Sequence, residues 1–130
     1  MSRITEAYSS FTVPDLEAAR GFYAETLGLN VSNALPNGAG PLWLSVEDER
    51  RALVYRKDDH RPASFTVLNM SVDDIDSAVD DLAARGVELE RYPGYEQDAR
   101  GIVHGPGHDI AWFSDPAGNN LSLVQLHDEV

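Results

Sequence analysis

His104 and His108 flank Gly105-Pro106-Gly107, the arrangement in this chain that comes nearest to a chemically active pair. A backbone that turned back at the glycines would bring the two rings together across a short hairpin, where they could share a metal ion or a ligand carboxylate. No third ligand accompanies them, so the first reading is a loop without a ligand, with a substrate contact next and a structural metal last. Glu6 is a candidate general base if apolar neighbours enclose it, because burial raises a carboxyl pKa. Tyr92, Tyr95 and Arg100 lie in or beside a turn-rich stretch, residues 93–107, which is the right kind of element for a lid. Arg100 could pair with a ligand carboxylate or with a surface acid. Trp43 and Trp112 could stack on a flat ligand or serve as core or dimer contacts. His60, in a charged stretch, and His127, near the end, read as solvated surface. The chain has no cysteine, which excludes disulfides, thiolate metal sites and a cysteine nucleophile. A phosphate-cradling Gly-rich motif and a G-x-S-x-G motif are both missing, so covalent catalysis has no evident nucleophile.

The elements that must position these residues are legible from turn chemistry and periodicity. Residues 110–113 and 121–126 are apolar and β-compatible, and Asp115, Pro116, Gly118, Asn119 and Asn120 between them supply a preset φ, tolerance of positive φ and local hydrogen bonds. This stretch predicts a hairpin. Upstream, residues 5–13 alternate and end at Pro14, predicting a strand. Asp15 is placed to cap a helix with Leu16, Ala19, Phe22, Tyr23 and Leu27 at helical spacing, ended by Gly28. Residues 30–34, 42–47 and 52–56 follow as shorter strands, separated by turns at 36–41 and 47–50. The first half therefore reads β, α, β, β, β.

Residues 57–62 (KDDHRP) are charged and aperiodic, a natural linker. The order then repeats: a strand at 64–72, and a helix capped by Asp73 or Asp74 with Ile75, Ala78, Val79, Leu82 and Ala83 on one side and Gly86 at its end. A strand at 87–92, the loop 93–107 and the hairpin complete the second half. An offset of 59 places Val13 on Val72, Asp15 on Asp74, Leu16 on Ile75, Ala19 on Ala78 and Tyr23 on Leu82. Two such units make an α+β protein with helices outside and curved sheets around a cavity. Module one is expected at about 4–57 and module two at about 63–127 of a single domain.

With 42% hydrophobic and 25% charged residues the composition is globular, and no stretch reaches membrane-spanning length. The start lacks a secretory pattern, so a cytoplasmic location is expected. A net charge of −12 argues against nucleic acid and anionic membranes as partners, because phosphate affinity comes mainly from Lys and Arg.

Three stretches carry a family likeness: VPDLEAARGFYAETLGL (13–29), VDDIDSAVDDLAARGVEL (72–89) and AWFSDPAGNNLSLVQ (111–125). In their order they resemble the vicinal oxygen chelate superfamily, the group of glyoxalases, bleomycin-resistance proteins and extradiol dioxygenases. The resemblance implies a divalent metal held by His, Gln or Glu on strands facing the cavity. Its ligand positions fall on Tyr8, on Val67 in the second half, on Ser122 after the DPxGN turn, and near Leu53. Those side chains do not suit such an ion, so the implied metal site reads as empty; no cofactor is expected, and a divalent metal elsewhere stays open.

By strand parity, the face implied to carry Tyr8 also carries Glu6, Ser10 and Thr12, and its counterpart carries Phe65, Val67, Asn69 and Ser71. Leu53, Tyr55, Ser122 and Val124 join them, and Trp112 and Arg100 are further candidate contacts. This lining, part apolar and part neutral hydrogen-bonding, suits an uncharged or aromatic small molecule. The alternative is that these residues fill a closed core. The resemblance also implies a homodimer. Function is expected to be binding or sequestration of a small, partly aromatic molecule. The alternative is a lyase, isomerase or dioxygenase-type enzyme, metal-independent or with an unusual site built from Glu6, His104 and His108.

Overall fold

The computed structural model describes residues 2–127. The chain divides into two compact units at Arg61/Pro62, each a four-stranded mixed sheet with its own helix. The α+β class is as the sequence predicts, and so is the βαβββ order of the first module; the second module reaches the same order through a strand at Val103–His104 in place of the one expected at 87–92.

In the first unit, β1 (Ser9–Val13), α1 (Leu16–Gly21), β2 (Asn30–Asn33), β3 (Leu42–Val46) and β4 (Glu49–Arg56) form a sheet of order β1-β4-β3-β2. β1 runs parallel to β4, and the other pairs are antiparallel. Asp15 caps α1 from an extended conformation, accepting from Glu17 N at 3.0 Å and Ala18 N at 3.2 Å, which satisfies amides that the first turn leaves orphaned. The helix does not continue in α form to Gly28 as its periodicity predicts. Phe22–Thr26 opens into a π turn, with Leu27 N bonded to Phe22 O at 3.0 Å. The wider turn keeps Tyr23 fully buried, 5.9 Å from the Phe11 ring. Gly28 at φ 74° then lets Leu29 N reach Tyr23 O at 2.9 Å, one residue wider than the bond that closes an ordinary α-helix in this way. Phe11, Val13, Leu42, Leu44, Ala52 and Val54 alternate into the same core as Ala19 and Tyr23.

The β3–β4 connection is tighter than the four-residue turn expected from EDER. Val46 pairs with Glu49, and Glu47 and Asp48 turn the chain at φ 52° and 64°, the geometry of a type I′ hairpin. The pairing shifts between Leu44 and Ser45, so that Leu44 faces Ala52 while Ser45 faces Arg50. This bulge puts Arg50 on the side of the sheet that carries Trp43.

In the second unit, β5 (Thr66–Ser71), α2 (Ile75–Ala84), β6 (Val103–His104), β7 (His108–Ser114) and β8 (Asn120–Leu126) form a sheet of order β5-β8-β7-β6. Asp74 is the cap, accepting from Ser77 N at 3.2 Å, and Gln125 Oε1 takes the amide of Ile75 at 2.9 Å. Ile75, Val79 and Leu82 are buried, whereas Ala83, expected on the same stripe, is exposed. Ala111, Phe113 and Leu121 are fully buried; a side chain the size of Phe113 contributes about 1.5–3 kcal/mol by leaving water. The predicted hairpin is built around Asp115. Its Oδ1 accepts from Ala117 N and Asn119 N, both at 2.9 Å, and its Oδ2 accepts from Asn119 Nδ2 at 3.0 Å. Asp115 and Asn119 are only 5% and 2% exposed.

Residues 87–92 do not form the predicted strand. One bridge joins Glu90 to Trp112, and a side chain replaces the missing strand partner. Gln97 Oε1 accepts from Tyr92 N at 2.8 Å, while its Nε2 donates to Glu90 O at 2.9 Å and Gly101 O at 2.8 Å. The same clip corrects the expectation of a lid at 93–107. Asp98 Oδ1 also takes the amides of Arg100 and Ile102 at 2.9 Å each, and Arg91 binds the carbonyls of Asp98 and Ala99. Ile102 is fully buried beneath them, so this segment is a pinned Ω-like loop, with β6 at its end. No helix among the described residues is long and apolar enough to cross a membrane.

Candidate functional site

Each sheet has one face against its helix and another away from it, and side-chain alternation decides which residues occupy the second face. In the first unit that face carries Tyr8, Ser10 and Thr12, with Leu53 and Tyr55 on β4 and Trp43 on β3. Tyr8 meets Trp43 edge to face at 4.6 Å, and the Arg50 guanidinium lies 4.5 Å over the Trp43 ring. Trp43 thus has the Arg50 cation over its ring and the Tyr8 ring at right angles to it. Glu6 is not enclosed by apolar groups. Its side chain is 43% exposed and lies 3.6 Å from Arg50, which removes the burial that would have made it a base. Glu6, Ala7, Asp48, Glu49, Arg50 and Arg51 line an open cleft of about 370 Å³. His60, expected to be plain surface, shares a 2.6 Å hydrogen bond with the Thr12 hydroxyl.

The histidine pair expected near residue 106 is not what the hairpin assembles. In the β6–β7 ladder His104 stands opposite Asp109. The His104 ring lies 2.7 Å from Asp98 Oδ2 and 3.2 Å from Asp109 Oδ1, and Asp109 Oδ2 lies 2.9 Å from His127. The hydrogen bond to Asp98, helped by the charge of Asp109, raises the His104 pKa above its usual 6.5. His108 begins β7, exposed, and pairs with Leu126. Arg100 is engaged at the surface by Asp80, at 2.8 and 3.1 Å, and by Asp76 at 4.0 Å.

The second sheet's face away from α2 is organised around Trp112. Tyr92 approaches the indole at 5.2 Å and 70°, and Tyr95 at 5.1 Å and 58°, so neither ring lies flat against it. Trp112 and Tyr92 are half-buried, while Tyr95 is 56% exposed. Beside the rings runs a continuous polar network. Ser114 Oγ donates to Glu90 Oε1, the Tyr92 hydroxyl donates to Glu90 Oε2, and Asn120 Nδ2 donates to the Tyr92 hydroxyl. Thr66 Oγ1 donates to Asn120 Oδ1 at 2.9 Å. Burial and the adjacent Glu90 carboxylate push the Tyr92 phenol up to about 12, so it stays protonated and acts as a donor. One strand over, the buried Ser122 hydroxyl donates to Asn69 at 2.5 Å.

Thr66 reaches this face because the β5–β8 register shifts between Thr66 and Leu68, interrupting the simple alternation that had assigned Val67 there. Val67 is itself half-buried at the irregularity. Sequence reasoning missed Glu90, Ser114 and Thr66. Asn120 and Ser114 stand two positions from the candidates Ser122 and Trp112 on the same strands, a signal that alternation could have used.

The Glyoxalase/Bleomycin resistance protein/Dioxygenase superfamily profile matches residues 5–123, and the chain belongs to that superfamily. Among solved structures it is similar to TnmS3, an antibiotic binding protein from Streptomyces sp. CB03234. Identity is 27% and the TM-score 0.67, with 97% of this chain and 100% of that one covered. A superfamily member from Sphaerobacter thermophilus gives 27% identity and a TM-score of 0.68, covering 94% of this chain and 98% of that one. A glyoxalase family protein from Bacillus anthracis shares the fold, with 21% identity, a TM-score of 0.71, and 98% of this chain and 100% of that one covered. No curated protein matches the chain.

Members of the superfamily often use a divalent metal, and the residues here do not fit one. Tyr8 packs on Trp43, Ser122 gives its hydroxyl proton to Asn69, and Leu53 and Val67 carry no donor atom. Among the described residues no group of three or more His, Cys, Asp or Glu could hold a metal ion.

Proposed function

We propose that this protein binds or sequesters a small, flat, partly aromatic molecule, without a metal and without covalent chemistry, on the face of the second sheet that carries Trp112. The observation that carries this reading is the juxtaposition of Trp112, Tyr92 and Tyr95 with the Glu90–Tyr92–Asn120–Thr66 hydrogen-bond network. Rings supply area for stacking, and a fixed set of polar groups sets orientation, the usual composition of a small-molecule site. The similarity to a protein named for antibiotic binding supports the same reading. The reading includes a homodimer in the cytoplasm, with no nucleic-acid or membrane partner, consistent with a net charge of −12.

The test is a thermal-shift screen of untagged protein against flat aromatic compounds and, separately, against Zn, Ni, Mn and Fe(II). A ligand that binds only the folded state at a hundred times its Kd stabilises it by about 2.7 kcal/mol. The expected result is stabilisation by a subset of the aromatic compounds, lost in Trp112→Leu, with no stoichiometric metal effect. Stabilisation by a metal at one ion per chain would overturn the proposal, and so would aromatic hits that persist unchanged in Trp112→Leu.

A further inference from the structure

Glu90 sits half-buried against Trp112, and among the described residues its carboxylate accepts only from uncharged donors, the hydroxyls of Ser114 and Tyr92. No Lys, Arg or His among the described residues pairs with it. Arg91, its neighbour in sequence, binds the carbonyls of Asp98 and Ala99, while Arg100 pairs with Asp80 and Asp76, His104 with Asp98 and Asp109, and His127 with Asp109. A partly desolvated carboxylate without a counter-charge is costly, and hydroxyl donors offset only part of that cost. The same carboxylate accepts from the Tyr92 hydroxyl, and Glu90 lies across a β-bridge from Trp112, whose ring is 5.2 Å from that of Tyr92 and 5.1 Å from that of Tyr95. Ring faces attract cations within about 6 Å. An anion would meet Glu90 with no positive group to receive it, and a neutral ligand would leave the charge uncompensated.

We infer that the Trp112 face is selective for organic cations: the ligand carries an amine or quaternary ammonium that sits between Glu90 and the rings of Trp112, Tyr92 and Tyr95, with its flat portion against the indole. This rests on the proposed binding role of that face and adds the charge class of the ligand. Hydroxyl donors on Ser114 and Tyr92 fix the carboxylate's orientation, and Asn120 fixes the phenol in turn. Charge selectivity is therefore built into a preorganised group rather than a mobile surface acid.

The experiment titrates the isotope-labelled full chain with benzyltrimethylammonium, benzyl alcohol and phenylacetate, following the Trp112 indole N–H by NMR. The ammonium is expected to bind about tenfold more tightly than the alcohol, the size of a partly desolvated cation–π and carboxylate contact. Phenylacetate should bind most weakly, added salt should narrow the gap, and Glu90→Gln should reduce the preference to the part the rings alone supply. Equal affinity for ammonium and alcohol in the wild-type protein would overturn the inference while leaving the face a binding site. Retention of the full preference in Glu90→Gln would do the same. If none of the probes moves Trp112, the binding role of the face fails with it. The wild-type comparison and its salt dependence decide the matter even if the variant does not fold.

Discussion

Replacing Asp115 by Ala tests how far a single carboxylate holds the second sheet together. Three donors converge on it, the amides of Ala117 and Asn119 and the side-chain amide of Asn119. Asn119 is only 2% exposed, so water cannot readily replace its lost acceptors, whereas Ala117 N in a half-exposed turn can be resolvated. Hydrogen bonds to a charged group contribute about 1.5–3 kcal/mol each, and a buried donor left unsatisfied costs about 1–3 kcal/mol. Because the three bonds share one acceptor group they do not add fully, and the expected loss is about 2–4 kcal/mol. For a chain of this size that corresponds to a fall in Tm of roughly 6–16 °C. Asp115→Asn keeps one carbonyl acceptor and should lose about half as much. Urea unfolding followed by circular dichroism measures the change, with the midpoint expected to fall at constant m. A loss below about 1 kcal/mol for Asp115→Ala would refute the assignment of Asp115 as the structural centre of the hairpin.

Further predictions concern the turns and the pinned loop. Glu47 and Asp48 both turn at positive φ, so Glu47→Asn with Asp48→Gly should raise stability by about 1 kcal/mol in the same urea assay. Gln97→Ala removes the acceptor of Tyr92 N and the donor to Glu90 O and Gly101 O; amide exchange across residues 90–101 should accelerate while α2 stays protected. The His104 pKa is raised by Asp98. Its stabilising contribution is therefore complete below the unfolded value of 6.5 and is lost as pH rises through the folded value. In Asp98, burial pushes the pKa up, but the His104 bond and the amides of Ile102 and Arg100 outweigh it. The folded Asp98 pKa is thus depressed below 3.8, and its contribution disappears only as pH falls through that lower value. Wild-type stability relative to His104→Gln should therefore be greatest in mildly acidic solution and should shrink toward alkaline pH.

Local chemistry was legible in the sequence, and long-range side-chain pairing was not. Asp15, Asp74 and the Asp115 turn announce themselves because their partners lie within four residues. Strand alternation likewise places Ser10 and Thr12 opposite the buried Phe11 and Val13. The Glu90 network depends on contacts between residues 24 and 28 positions apart, set by a β-bridge and a bulge that no periodicity encodes. Asp109 became the partner of His104 through hairpin register, which the glycines permit but do not specify. The segment before the loop kept the composition of a strand, but its bonding groups went to Gln97 instead.

The most direct measurement follows the indole N–H signals of both tryptophans while the protein is titrated with a flat aromatic compound found by the thermal-shift screen. Trp43 lies under Arg50 in the first unit, and Trp112 lies beside Glu90 and Tyr92 in the second. Saturable movement of the Trp112 signal with little change at Trp43 is the predicted result. Movement of Trp43 while Trp112 stays still would place the ligand in the first unit and contradict the account.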